Sequence, residues 1–168
     1  MDKNIVLVGM SGCGKTTVAR ELALILKGYS FIDIDEEIEK EISKKISEIF
    51  EEYGEEYFRK LEKDMIQKQL CNDNKAVISL GGGAFENEQT RKNVLSNCLT
   101  VYLKASANTI YDRIKNANDR PLLSNISPEK IENLMSKRIP NFEKAHIKID
   151  TDNKTLYNVV KEIKECLR

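Results

Sequence analysis

The chain has 168 residues, enough to bury one core without disulfides and too few for two ordinary domains. Lys plus Arg and Asp plus Glu both number 27, so the net charge of zero provides no global field for nucleic acid or an anionic membrane, and any anion site must be local. Four cysteines, at 13, 71, 98 and 166, form no CxxC pair, no apolar run could span a bilayer, and the single histidine, His146, excludes a multi-histidine metal site. Reduced thiols in a cytoplasmic protein without a secretory signal are therefore expected, with no nucleic-acid or membrane partner.

Apolar runs bounded by turn residues predict strands at about 4–8, 30–34, 75–80, 99–104 and 146–150. Helical patterns separate them, at about 15–27, 36–45, 47–53, 55–71, 87–96, 106–116, 128–144 and 155–167. In the last, Leu156, Val159, Val160, Ile163 and Leu167 recur on one face. This alternation predicts a three-layer α/β/α domain around a five-stranded parallel sheet. Two segments interrupt it beyond the carboxyl ends of strands, where open α/β sheets bind ligands. The first, 36–71, is helical and charged: Ser47 can cap a short helix, Gly54 can end it, and a longer helix follows with Phe58, Leu61, Met65 and Leu70 facing inward. The second, about 114–127, is rich in Asn and Ser and suits a mobile flap. His146, at the start of a strand, reads as an incidental edge residue.

Residues 9–16, Gly-Met-Ser-Gly-Cys-Gly-Lys-Thr, fit G-x-x-x-x-G-K-[ST] between the first strand and the first helix. Glycines let the backbone approach a ligand with its N–H groups turned inward, and the helix start adds unpaired N–H groups and a positive dipole end. Lys15 supplies a point charge for the β- and γ-phosphates, and the Thr16 hydroxyl is placed for Mg²⁺. A nucleoside triphosphate follows from that context. Asp33 and Asp35 stand two residues apart at the end of the second strand and are expected to have different jobs. One can serve Mg²⁺ through water and the other can accept a hydrogen bond from a substrate hydroxyl, or Asp35 can simply cap the helix at Glu36. Arg59 lies near Glu55 and Glu62 on one helix, either as a solvated charged face or held in one pose by Glu62 for a substrate carboxylate. Gly81, Gly82 and Gly83 in succession imply close approach to backbone N–H groups, and without a terminal acid on that strand Asp33 and Ser79 would support the metal. Arg120 and Arg138 are the remaining fixed cations, each open to a solvated reading. Cys13, between the glycines and near Lys15, is either a small loop residue or an activated thiol.

In order along the chain, Gly9–Thr16, Asp33-Ile34-Asp35, Ile49-Phe50, Gly54-Glu55 with Phe58-Arg59 and Glu62, Ser79–Gly83, Arg120-Pro121-Leu122, Arg138 and Ile149-Asp150-Thr151 resemble the shikimate kinases, small P-loop enzymes of the nucleoside-monophosphate-kinase fold. The resemblance implies ATP-dependent phosphorylation of the shikimate 3-hydroxyl in aromatic amino-acid biosynthesis, by a monomer with a helical substrate-binding insertion at 36–71 and a lid at 114–127. It implies Lys15, Asp35 and Arg120 as catalytic residues, with Asp35 on the hydroxyl to be phosphorylated. Ser11, Gly12, Cys13, Gly14, Lys15, Thr16 and Thr17 would hold ATP, Arg113 would pack on adenine, and Arg120 would meet the phosphates. Asp35, Phe50, Phe58, Arg59, Gly81, Gly82, Gly83 and Arg138 would bind shikimate, with Thr16 and Asp33 attending Mg²⁺. The sequence departs from the family where a proline usually follows the Asp-Thr pair: Asp152-Asn153-Lys154-Thr155-Leu156 has none. A gluconate or nucleotide kinase and a nucleotide-dependent regulatory module are the rival readings. A nucleotide acceptor has little use for Phe58-Arg59 together with the triple glycine, and a switch has no need of two acceptor-binding arginines.

Overall fold

The computed structural model of the chain describes residues 3–115 and 127–167. β1 (Ile5–Val8) lies in the middle of a five-stranded sheet of order β2-β3-β1-β4-β5, with β2 (Ser30–Asp33), β3 (Ala76–Ser79), β4 (Leu99–Lys104) and β5 (Ile147–Asp150). All four pairings are parallel. The central strands are buried on both faces, which is why they read as short unbroken runs of Ile, Val and Leu.

The connection from β1 to β2 through α1 (Lys15–Ile25) travels one way across the sheet, and that from β3 to β4 through α4 (Glu88–Asn97) travels the other way. Right-handed crossovers therefore put these helices on opposite faces. α7 (Leu156–Cys166) packs beside α1, while α5 (Ala107–Lys115) packs against α6 (Pro128–Phe142). Val159, Val160 and Ile163 bury the inner face of α7, but Leu156 at its start is exposed. No helix among the described residues is long and apolar enough to cross a membrane.

The first insertion differs from expectation at both of its helix starts. The strand stops at Asp33, and α2 (Ile34–Ile42) begins at once, because Asp33 Oδ1 accepts from the N–H groups of Asp35 at 3.0 Å and Glu36 at 3.4 Å. Asp33 is the cap, and Asp35 stands in the first helical turn instead of on an extended strand. α3 (Ile46–Leu70) starts ahead of Ser47, with the Glu48 carboxylate accepting from Lys45 N at 2.6 Å. As expected, helical geometry breaks at Gly54, at φ 81° and ψ 172°, so that α3 is two helices meeting at a kink there. Residues 116–126, which hold Arg120 and nearly all of the expected lid, lie outside the described residues.

Candidate active site

The carboxyl ends of β1, β2 and β3 stop at one level, since Leu7 is in register with Ser79 and Ser79 with Asp33. Side chains at paired positions of parallel strands share a face, and the first turn of α1 sits above this one. Thr16 Oγ1 accordingly donates to Asp33 Oδ2 at 2.7 Å and lies 3.5 Å from Ser79 Oγ. One carboxylate and two hydroxyls make a hard, oxygen-only cluster. No group of three His, Cys, Asp or Glu that could enclose a metal occurs among the described residues, so a cation here would need further oxygens from its substrate.

The phosphate loop wraps from β1 into α1. Gly14 caps the helix in the left-handed region at φ 97°, which fits a residue without a Cβ. Among the described residues the N–H groups of Gly12, Gly14, Lys15 and Thr16 donate to nothing, which leaves a concave row of donors at a helix N-terminus. Lys15 is buried and its ammonium donates to the carbonyls of Gly9 and Met10, both at 2.9 Å. Cys13 is 1% exposed, with its sulfur beneath Gly9 and 4.0 Å from Lys15 Nζ. That burial favours the small-loop-residue reading over the activated thiol. Arg113 donates to the Cys13 carbonyl at 3.0 Å and to the Thr151 carbonyl at 3.4 Å.

Four charged side chains converge on the triple glycine. A Cβ on Gly83 would lie 2.6 Å from Arg59 Nη2, one on Gly82 would lie 2.6 Å from Ser11 Oγ and 3.5 Å from Arg138 Nη1, and one on Gly81 would strike the Glu62 carboxylate and stand 3.2 Å from Asp35 Oδ1. Side-chain space is what these glycines vacate, and none of the three needs a left-handed φ. Their own N–H groups donate to nothing among the described residues. Ser11 against Gly82 joins the phosphate loop directly to this second pocket.

Arg59 donates to Glu62 at 2.7 Å and to Glu55 at 3.1 and 3.2 Å, so its guanidinium is fixed in pose rather than solvated. It sits 5.3 Å from the Phe58 ring, which in turn packs on Phe50 at 4.8 Å across the Gly54 kink. Burial opposes the charge of Arg59, yet Glu62 and Glu55 outweigh it and hold the guanidinium above its ordinary pKa. Glu62 is 2% exposed, and burial pushes its carboxyl upward in spite of Arg59 and Arg138. That direction agrees with the geometry, because Oε1 has no hydrogen-bond partner among the described residues. Arg138, from α6, is lowered by burial and then by the neighbouring charge of Arg59. No hydrogen bond or ion pair reaches its guanidinium from the described residues. Two guanidinium groups beside one glycine turn, one of them without a direct counter-ion among the described residues, favour an anionic occupant.

The structure thus gathers Ser11, Gly12, Cys13, Gly14, Lys15, Thr16 and Thr17 at one pocket, and Asp35, Phe50, Phe58, Arg59, Gly81, Gly82, Gly83 and Arg138 around its neighbour. Arg120 lies outside the described residues. The sequence reading missed the capping role of Asp33, for which its place ahead of Asp35 and Glu36 was a usable signal. It also missed the acceptor of Arg113, a backbone carbonyl that leaves no trace in side-chain pattern.

The family profile described as shikimate kinase matches residues 11–168. A shikimate kinase of Thermodesulfovibrio yellowstonii is 41% identical over 162 residues, covering 96% of this chain and 92% of that protein. One from Persephonella marina is 42% identical over 161 residues, covering 96% of each. Among solved structures, a shikimate kinase from Acinetobacter baumannii in complex with shikimate superposes with a TM-score of 0.91 at 34% identity, covering 98% of this chain and 92% of that one. With the profile spanning nearly the whole chain and relatives matched end to end, the chain belongs to the shikimate kinase family.

Proposed function

We propose that the chain transfers the γ-phosphoryl group of ATP to the 3-hydroxyl of shikimate, giving shikimate 3-phosphate and ADP for aromatic amino-acid biosynthesis, and that the residues above carry it out. The observation that carries the assignment of residues is the convergence of Asp35, Arg59, Glu62 and Arg138 on a glycine turn whose other side is the phosphate loop. Phosphoryl transfer asks a protein mainly to align attacking and leaving oxygens and to stabilise charge on the migrating group. Arg59 and Arg138 would hold the carboxylate of shikimate, with Phe50 and Phe58 along the pocket wall. Asp35 would orient the attacking hydroxyl and receive its proton late, since a loose transition state requires no strong base. Lys15, the loop N–H groups and Thr17 would hold the triphosphate, with Arg113 against the nucleotide. Thr16 and Asp33, backed by Ser79, suit Mg²⁺, which when bound neutralises charge on the phosphate oxygens.

Residues 36–71 would form the acceptor-binding insertion and 114–127 a lid, both parts of a single domain that works as a monomer in the cytoplasm. The free state of Cys13, Cys71, Cys98 and Cys166 suits that reducing compartment. Shikimate-dependent ADP release, with gluconate and nucleoside monophosphates as controls, tests the reaction; release that ignores shikimate refutes it. The family resemblance makes Arg120 the lid arginine on the transferring phosphoryl group. Arg120→Ala is expected to keep shikimate binding and lose about 10³–10⁵ in kcat, the range for a transition-state arginine. Near-normal kcat in that variant would remove Arg120 from the catalytic set.

A further inference from the structure

Arg113 stands in the last turn of α5, 100 residues beyond the loop it touches. Its Nη1 donates to the Cys13 carbonyl at 3.0 Å and lies 3.5 Å from Thr151 Oγ1, while Nη2 donates to the Thr151 carbonyl at 3.4 Å. The far end of this brace is itself fixed, because the Asp152 carboxylate accepts from Ser106 N at 3.1 Å and Thr151 N donates to the Lys104 carbonyl at 2.8 Å.

A trans peptide carries its C=O and N–H on opposite sides. A Cys13 carbonyl held outward by Arg113 therefore turns the Gly14 N–H inward. Held this way, the carbonyl is also withdrawn from the helix, where it would have accepted from the N–H of Thr17, four residues on. The first backbone bond of α1 is instead Val18 N to the Gly14 carbonyl, at 3.0 Å, and the Thr17 N–H has no acceptor among the described residues.

We infer that Arg113 is a positioning residue of the phosphate loop: by holding the Cys13 carbonyl it aims the N–H groups of Gly14 and Thr17 at the triphosphate, and by holding Thr151 it braces that loop against the end of β5. This rests on the reading that the loop binds a triphosphate, and it is a different job from packing on a base. A ligand with phosphates and no base separates the two.

The test compares the full-length chain with Arg113→Met and Arg113→Lys, using inorganic tripolyphosphate binding by calorimetry, the KM for ATP, and amide ¹H–¹⁵N spectra without nucleotide. In Arg113→Met the Gly14 and Thr17 peaks should shift and broaden while sheet amides stay in place, and affinity for tripolyphosphate and ATP should fall by a similar factor, about tenfold or more. Arg113→Lys, which keeps the charge and one donor, should recover part of both effects together. Unchanged tripolyphosphate affinity in Arg113→Met beside a raised KM for ATP would overturn the inference in favour of base contact alone. Unchanged Gly14 and Thr17 peaks beside weakened tripolyphosphate binding would overturn it in favour of charge alone. Since these measurements need no shikimate, they stand or fall separately from the proposed reaction.

Discussion

Under the proposed function, Arg138 would serve binding at the expense of the empty protein. It is partly buried next to a second guanidinium, and both burial and that neighbour work against its charge. Replacing it with Met keeps the aliphatic contacts and removes the repulsion, so Arg138→Met should unfold at higher urea concentration, with a gain of about 0.5–2 kcal/mol typical of relieved functional sites. If Arg138 holds the shikimate carboxylate as proposed, the same change would remove a charged hydrogen bond worth about 1.5–3 kcal/mol and should raise the KM for shikimate by roughly ten- to a hundredfold. A variant less stable than the parent would show that Arg138 is already compensated. Lys15 has a related character, because a phosphate bound there as proposed would have to replace the Gly9 and Met10 carbonyls and would not meet a bare cation.

At the level of elements, α3 is two helices joined by one residue in a conformation open almost only to glycine. Gly54 carries Phe50 on one side and Phe58, Arg59 and Glu62 on the other, and the contact between Phe50 and Phe58 closes the angle. A Cβ at Gly54 would meet nothing within 4 Å, so Gly54→Ala isolates the backbone term. The expected loss is about 1–3 kcal/mol by denaturant unfolding. Stability equal to the parent would show that the kink is not held in that conformation in solution. The legibility of this region was uneven for physical reasons. Gly54 announced the break between two helices, but not the angle at which they meet, which is closed by the packing of Phe50 on Phe58. Asp33-Ile34-Asp35 alternates like a strand, and the β-branched Ile34 reinforces that reading, whereas the Asp33 carboxylate captures two N–H groups and starts a helix. The central strands β1 and β3 were readable to within a residue because burial on both faces makes them short unbroken apolar runs bounded by turn residues.

For the whole molecule, stability should carry the imprint of Glu62. Its folded carboxyl lies above the ordinary 4.5, chiefly through burial, so the folded chain keeps a proton that the unfolded chain has already released. The contribution of Glu62 is therefore fullest below pH 4.5 and is lost as pH rises through the elevated folded value. Each unit of elevation corresponds to about 1.4 kcal/mol. Urea midpoints measured from pH 4 to pH 7 should show the parent losing ground to Glu62→Gln across roughly that window; parallel curves would place the proton elsewhere. The residues gathered at the carboxyl ends of the strands were visible in the residue order, since the phosphate loop, the aspartate pair and the triple glycine are local motifs. Their junction through Ser11 and Gly82, and the Arg113 brace, are products of topology that no local pattern encodes. The flush ending of β1, β2 and β3 has a last consequence. Thr16, Asp33 and Ser79 become neighbours only after two parallel pairings between distant stretches of chain have closed. No partially unfolded form that frees β2 can retain this oxygen cluster, so loss of nucleotide capture and loss of the sheet would be one cooperative event, and ligand occupancy a gauge of complete folding.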